Sequence, residues 1–381
     1  MKFRVDRKAL ADTIAVVAKS LPSKPPTPVL AGVKITADSG VLRVEGFDYE
    51  TSTRAHVVAD VLDEGSVLVS GKLLADITKA LPQKPVEVSV DGARVGIVCG
   101  SAKFSLPTMP VADYPALPAF PATTGSLPTE VFETVVGQVA AAAGKDDTLP
   151  MLTGVKIEAE NGTLTLAATD RFRLAIRTLD WTGGDVNALI PAKTLADVAR
   201  DVSRTQGLDN VDVGFHEGLF GADTGNVWTT ARVLDAEFPK FRQLLPSEHS
   251  AVAGVDVAEL VGAVKRVGLV AERGAQIRLT FDTGSLTVTA GTDGESSAEE
   301  TLAATFAGEP LTIAFNPGYL LDGLNVIGTE RVLFGFTTPN RPATLRPLSG
   351  DMQEYVGAGP FQPADTSFVY LLMPVRLPGN N

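Results

Sequence analysis

The sequence is short of the residues on which covalent crosslinking and most catalysis depend. It has one cysteine, Cys99, which excludes an intrachain disulfide framework and suits a reducing cytoplasm. A half-buried strand position is a better reading of Cys99 than a nucleophile. The three histidines, His56, His216 and His249, stand alone. They form no His-Glu-x-x-His or similar spacing, so no metal is expected, and surface or edge positions suit them better than a catalytic base. Nowhere does the chain approach the ~20 consecutive apolar residues that span a bilayer, so no membrane partner is expected. Met1–Leu10 carries Lys2, Arg4, Asp6, Arg7 and Lys8 without an apolar stretch, which is neither a signal peptide nor an anchor.

Nucleotide-binding loops are missing too. Before Gly71-Lys72 the nearest glycine is Gly65, one residue too far for a phosphate loop, and Leu73 stands where a magnesium-binding hydroxyl would be needed. Gly291-Thr292-Asp293-Gly294 is turn chemistry, because no helical pattern follows it. Acid pairs such as Asp146-Asp147 and Glu299-Glu300 read as solvated charges rather than acid–base machinery. No cofactor is called for, and nothing positive supports an enzyme.

What is there is a chain of 381 residues, 44% hydrophobic and 20% charged, enough for two or three cores. Its strongest feature is internal repetition. Gly32–Asp48, Gly154–Asp170 and Gln276–Thr292 align without a gap at a spacing of 122 residues. Gly40, Gly162 and Gly284 coincide behind Asp38-Ser39, Glu160-Asn161 and Asp282-Thr283, the chemistry of a tight hairpin turn. Apolar residues alternate on both sides, as in Val33, Ile35, Leu42 and Val44, so each hairpin has one buried face. Upstream of the hairpins, helical stripes run over Lys8–Leu21, Pro128–Ala143 and Val257–Ala271. Downstream, a strand and a second helix follow at Val67–Leu81, Leu189–Val202 and Ile313–Val326. The expected fold is α+β, three repeats of two helices and about eight strands. Boundaries in the proline-rich Pro107–Pro128 stretch and around Pro246–Val252 give domains 1–122, 123–248 and 249–381. A period this long means whole domains, and head-to-tail contacts between them can close into a ring or leave a chain of beads.

The formal net charge is −12, which disfavours a protein that coats nucleic acid. Its basic residues are nevertheless grouped: Lys72 and Lys79, then Lys193, Arg200 and Arg204, fall on helix faces opposite the apolar stripes. Asp197 and Asp201 share the side of the second set, and a solvated helix face is the competing reading.

Over its full length the sequence resembles the bacterial DNA polymerase III beta subunit family, the sliding clamps. The motifs that carry the resemblance are MKFRVDRKAL at the start, Lys24-Pro25-Pro26-Thr27-Pro28-Val29-Leu30, and ATDRFRLA at Ala168–Ala175. FPKFRQLLP at Phe238–Pro246, AFNPGYLLD at Ala314–Asp322 and YLLMPVRL at Tyr370–Leu377 complete the set. The resemblance implies a head-to-tail homodimer with helices inside and sheets outside, encircling double-stranded DNA. It also implies a cleft between the second and third domains where the replicative DNA polymerase, the clamp loader and repair proteins dock by short peptides.

Matching cleft positions are Leu152, Thr169, Arg171, Arg173, Leu174, Pro239 and Leu244, then Asn316, Tyr319, Pro342, Leu371, Met373, Pro374 and Arg376. Leu371 and Met373 are expected on one face of a C-terminal strand, with Leu174 and Leu244 completing an apolar pocket and Arg173 and Arg376 flanking it. Lys24, Lys72, Lys193 and Arg200 are expected at DNA phosphates. Phe104 and Leu106 of one subunit are expected to pack near Leu269 and Val270 of the other. The sequence departs from the family at Phe172, at Leu149-Pro150 and in the tail Pro378–Asn381. A diverged clamp paralogue that binds peptides without encircling DNA is the alternative.

Overall fold

The alternating segments around Gly40, Gly162 and Gly284 fold as antiparallel hairpins, and the same order of elements is built around each. A computed structural model describes residues 1–22, 24–202, 207–271, 276–291, 296–350, 352, 355 and 359–376. The first repeat runs β1 (Lys2–Val5), α1 (Arg7–Val17), β2 (Gly32–Asp38), β3 (Val41–Phe47), β4 (Thr51–Val58) and β5 (Asp60–Asp63). It continues with β6 (Gly65–Ser70), α2 (Gly71–Ala80), β7 (Val86–Asp91), β8 (Arg94–Cys99) and β9 (Ala102–Pro107). The second contains β10 (Thr123–Pro128), α3 (Thr129–Ala140), α4 (Pro150–Thr153), β11 (Gly154–Glu160), β12 (Thr163–Thr169) and β13 (Arg173–Asp180). It ends with β14 (Val186–Pro191), α5 (Ala192–Val202), β15 (Asn210–His216), β16 (Leu219–Asp223) and β17 (Val227–Arg232). The third contains β18 (Ala251–Asp256), α6 (Val257–Val267), β19 (Ile277–Asp282), β20 (Ser285–Gly291), β21 (Ser297–Ala307) and β22 (Leu311–Phe315). It closes with α7 (Pro317–Asn325), β23 (Arg331–Phe336), β24 (Ala343–Leu348) and β25 (Phe368–Leu372).

Local chemistry accounts for these boundaries. In all three hairpins two residues link the strands, with Asp38 opposite Val41, Glu160 opposite Thr163 and Asp282 opposite Ser285. The turn glycines take φ of 82°, 78° and 79°, a region that a Cβ disfavours. Asp6 starts α1 by accepting the Ala9 N–H at 2.8 Å, and Asp256 starts α6 by accepting that of Glu259 at 2.8 Å. Each of these helices then buries one stripe: Leu10, Ile14 and Val17 in α1; Leu260, Val264 and Val267 in α6.

Packing divides the described chain into two compact units, Met1–Glu133 with Asp197–Val233, and Thr134–Ala196 with Leu234–Asn381. The first holds two sheets, ordered β5-β1-β7-β8-β9 and β10-β15-β16-β17-β4-β3-β2-β6. The second holds one long sheet, β14-β11-β12-β13-β25-β24-β23-β18-β21-β20-β19-β22. Sheets therefore continue from one repeat into the next. β17 of the second repeat pairs with β4 of the first, and β25 of the third pairs with β13 of the second.

Two expectations change. Cys99 is fully buried rather than half-buried, with its thiol against the carbonyl oxygens of Pro82 and Lys84 at 3.3 and 3.2 Å. His249 is neither a surface nor an edge residue. It is buried, and its Nδ1 has no partner among the described residues. No described helix is long and apolar enough to cross a membrane.

Candidate functional site

At the β13–β25 junction a tight turn presents several of the singled-out residues together. Asp170 organises it: its Oδ1 accepts the N–H groups of Phe172 and Arg173 at 3.0 and 3.1 Å. The Thr169 hydroxyl donates to the Arg173 carbonyl at 2.6 Å and accepts the Arg171 N–H at 3.2 Å. These bonds hold Arg171 at φ 78°, a conformation that non-glycine residues seldom adopt. Arg171 and Phe172 consequently point outward while Arg173 turns inward.

Arg173 is 5% exposed and fully engaged. Its Nε donates to Asp170 Oδ2 at 2.9 Å and its Nη1 to Asp322 Oδ2 at 2.5 Å, and the guanidinium lies 4.5 Å from the centre of the Tyr319 ring. Burial works against its charge. The Tyr370 hydroxyl, Asp322 and Asp170 outweigh burial and hold the guanidinium more firmly protonated than a free arginine. Tyr370, pushed up in pKa chiefly by burial, donates to the Tyr319 carbonyl at 2.9 Å and so ties β25 to α7. Asn316 caps α7, accepting the Tyr319 N–H at 3.2 Å ahead of Pro317 at the first helical position.

Around this frame lies a cleft of about 560 Å³ whose walls include Leu152, Arg171, Phe172, Arg173, Asn316 and Tyr319. The Phe172 and Tyr319 rings stack, with centroids 6.0 Å apart and planes 20° from parallel. The segment after β25 is fastened beside them, since the Met373 N–H donates to the Phe172 carbonyl and that of Val375 to the Ala314 carbonyl, both at 2.8 Å. A recess rimmed by stacked rings, in which Leu149 and Leu152 lie beside the charged Lys145, Asp146, Asp170 and Asp322 and the exposed guanidinium of Arg171, is suited to holding a short peptide by an apolar anchor and polar contacts.

The other cleft candidates fall into two groups. Leu174 and Leu371 face each other across β13 and β25 and are buried, in a cluster with Ile176, Val369 and Phe241. Leu244, Met373, Pro239 and Arg376 are exposed, and Pro342 and Pro374 are half-buried. β25 stops at Leu372, so Met373 lies beyond the strand and outside the alternation expected to align it with Leu371. Arg173 lines the cleft and is clamped there by Asp170 and Asp322. Asp170, Asp322 and Tyr370 were not singled out from sequence. The usable signal was the aspartate opening the Asp170–Arg173 turn in the second repeat.

Of the basic candidates, Lys24, Lys72, Lys193 and Arg200 are all exposed. Arg200 pairs with Asp197 at 2.7 Å, and Asp201 pairs with Lys19, so both acids that diluted the basic face are bound to cations. Arg204 lies outside the described residues. Phe104 is 38% exposed on β9, whereas Leu106, two residues on, is 2% exposed within its own core. Leu269 is exposed and Val270 half-buried in the turn after α6.

Three α+β repeats sharing continuous sheets, with a peptide-sized cleft at one of the shared junctions, define a clamp-type subunit. Family models agree along the chain: the DNA polymerase III beta subunit N-terminal domain matches residues 1–118, the central domain 126–240 and the C-terminal domain 242–358. A beta sliding clamp of Streptomyces coelicolor is 47% identical over 388 residues, covering 100% of both chains. The beta sliding clamp homolog GriR of Streptomyces muensis is 39% identical over 99% of both. The solved sliding clamp of Bacillus subtilis superposes with a TM-score of 0.88 at 26% identity, covering 99% of each chain. That of Pseudomonas aeruginosa bound to griselimycin gives 0.88 at 28%, covering 99% of this chain and 100% of the other. The chain belongs to the DNA polymerase III beta subunit family, the DNA sliding clamps.

Proposed function

We propose that this protein is a replicative sliding clamp: a homodimer closes around duplex DNA, and partner proteins dock on the β13–β25 cleft. It catalyses no reaction, acts in the cytoplasm, and is organised as domains 1–122, 123–248 and 249–381. The partners are the replicative polymerase, the clamp loader and repair proteins, each presenting a short peptide.

The observation that carries the reading is an unfilled position in the repeat. β9 ends the β7-β8-β9 run of the first repeat, as β17 ends β15-β16-β17 in the second and β25 ends β23-β24-β25 in the third. β17 finds β4, and β25 finds β13. The third-repeat counterpart of β4 and β13 is β21, whose Ser297–Ala303 half pairs with β20 alone among the described strands. One chain thus leaves β9 and half of β21 open on one side, and a second copy placed head to tail supplies both partners and closes the ring. Phe104 would then pack near the partner subunit's Leu269 and Val270, with Leu106 supporting β9 from beneath.

Lys24, Lys72, Lys193 and Arg200 would meet phosphates without reading bases, which permits sliding. The cleft would take an apolar anchor beside the Phe172–Tyr319 pair. A peptide-binding paralogue that never encircles DNA is the second reading. Retention on nicked circular DNA tests it. The protein should stay with circles after loading and be released on linearisation. Equal release from both forms would leave only the scaffold reading.

A further inference from the structure

Within the second unit a groove of about 950 Å³ lies over β14, β11 and β12, with Arg242 on its wall. Strand register lays out its floor as two rows. Asn187, Glu158 and Thr165 stand side by side in the first, because Glu158 pairs with Asn187 across one ladder and with Thr165 across the other. Two residues along β11, Glu160 pairs with Thr163. Asp185 precedes Val186, the partner of Ala159, and so comes opposite Glu160 as the register continues. Neighbours within a row are about 5 Å apart, and the rows are about 7 Å apart. Trp181 fixes the end of the groove. Its backbone N–H donates to the Gly162 carbonyl and its Nε1 to that of Gly184, both at 2.8 Å, which ties the β11–β12 turn to the loop that carries Asp185.

The corresponding positions of the other repeats satisfy one another. Thr36 bonds Ser66 at 2.9 Å, Thr280 bonds Thr312 at 3.0 Å, and Thr287, the counterpart of Thr165, bonds Thr301 at 3.2 Å. In the second repeat Glu158 and Asn187 replace the first of these hydroxyl pairs. Thr165 is 7% exposed and lines the groove, yet its hydroxyl has no hydrogen bond among the described residues. The cations nearby serve the first row: Arg242 Nη1 holds Glu158 Oε2 at 2.6 Å, and the Lys156 ammonium donates to Asn187 Oδ1. Glu160 and Asp185 are exposed and have no cation among the described residues. Like charges directly opposite one another are destabilising, so the second row favours a bound cation.

The geometry selects among cations. No group of three or more metal-binding side chains occurs among the described residues, which disfavours a metal ion. An ammonium is a compact point charge, whereas a guanidinium presents five N–H donors in a planar fork. Such a fork can span two carboxylates about 5 Å apart and turn a remaining N–H towards a hydroxyl in the next row. Free arginine would bring its own carboxylate against the same acids. We propose that this groove binds an arginine side chain of a partner protein, with the guanidinium bridging Glu160 and Asp185 and donating to the Thr165 hydroxyl. The site shares no residue with the Phe172–Tyr319 cleft and does not depend on how that cleft is used.

The test uses full-length protein and the probe acetyl-Gly-Arg-Gly-amide, compared with its citrulline and lysine counterparts and with free arginine. Binding is followed through the indole ¹⁵Nε1 signal of Trp181, with that of Trp228 in the first unit as the reference. The arginine peptide should shift the Trp181 signal saturably in the millimolar range and leave that of Trp228 in place. The citrulline peptide, similar in shape but uncharged, should bind about tenfold more weakly, and Glu160→Gln should lose the arginine peptide's advantage. No saturable shift up to about 10 mM would overturn the assignment. So would citrulline, lysine or free arginine binding as tightly as the arginine peptide, or undiminished binding to Glu160→Gln. If Glu160→Gln does not fold, Asp185→Asn and the comparison of arginine with citrulline on the unaltered protein decide the matter.

Discussion

Tyr49 and Arg171, 122 residues apart, hold one backbone conformation, φ 75° and φ 78°, in two copies of the same turn. Asp48 Oδ1 accepts the N–H groups of Glu50 and Thr51 at 3.0 and 2.6 Å, as Asp170 Oδ1 accepts those of Phe172 and Arg173. The aspartate's two bonds stabilise a left-handed residue in both. The copies part at the next position but one: Thr51 ends the first turn, and Arg173, long enough to reach Asp322, ends the second. The counterpart in the third repeat, Thr292–Glu295, lies outside the described residues.

Arg173 should matter to stability and Arg171 should not. Arg173→Ala leaves the carboxylates of Asp170 and Asp322 facing each other without their cation, and is expected to cost about 2–3 kcal/mol, discounted because Asp322 is half exposed. Arg171→Ala should stay within about 0.5 kcal/mol. Urea denaturation of the two variants gives the comparison, and equal midpoints would contradict it.

The stacked pair should contribute to peptide capture. Phe172→Ala removes an exposed ring and leaves the buried bonds of Arg173 in place, so folding should be unaffected while affinity for a polymerase-derived peptide falls about fivefold. Calorimetry with that variant is the measurement, and an unchanged Kd would place the anchor away from Phe172.

Phe104 and Leu106 should respond differently to a charge. Phe104→Asp is expected to weaken the proposed dimer while each protomer keeps its fold, because the ring is partly exposed. Leu106→Asp buries a carboxylate in the first repeat's core and should unfold it. Sedimentation beside circular dichroism separates the outcomes; a Phe104→Asp dimer intact at micromolar concentration would remove β9 from the interface.

Acid should destabilise the protein through His249. Burial, helped by Arg346, lowers its pKa to about 4, so the folded state favours neutral imidazole. Its contribution is complete above pH ~6.5, the unfolded value, and is lost as pH falls from there towards 4, at most about 3 kcal/mol. Replacing His249 with Phe should flatten the stability profile in that window. A slope unchanged by the replacement would assign the acid sensitivity to other groups.

Lys72 should contribute to DNA affinity through charge alone. Lys72→Ala is expected to reduce the salt slope of log K by roughly 0.9 for each phosphate that the ammonium neutralises, without altering sequence preference. Binding to an open-ended duplex across salt concentrations is the check, and an unchanged slope would take Lys72 off the DNA path.

The repeat, the hairpins and the helix starts were legible in the linear sequence because each depends on residues within a few positions. A glycine tolerates positive φ, an aspartate caps a helix three residues on, and alternation sets which face is buried. The turn at Asp170 is equally local. What Arg173 does there is not, since its partners Asp322 and Tyr370 are 149 and 197 residues away and meet it only because β25 of the third repeat pairs with β13 of the second. Tertiary structure likewise decided that Leu106 and Leu371 are core while Phe104 and Met373 are surface, although each pair shares the same two-residue spacing. Period two specifies a shared face along a strand, but how much of that face is covered, and where the strand ends, depends on elements packed from distant parts of the chain.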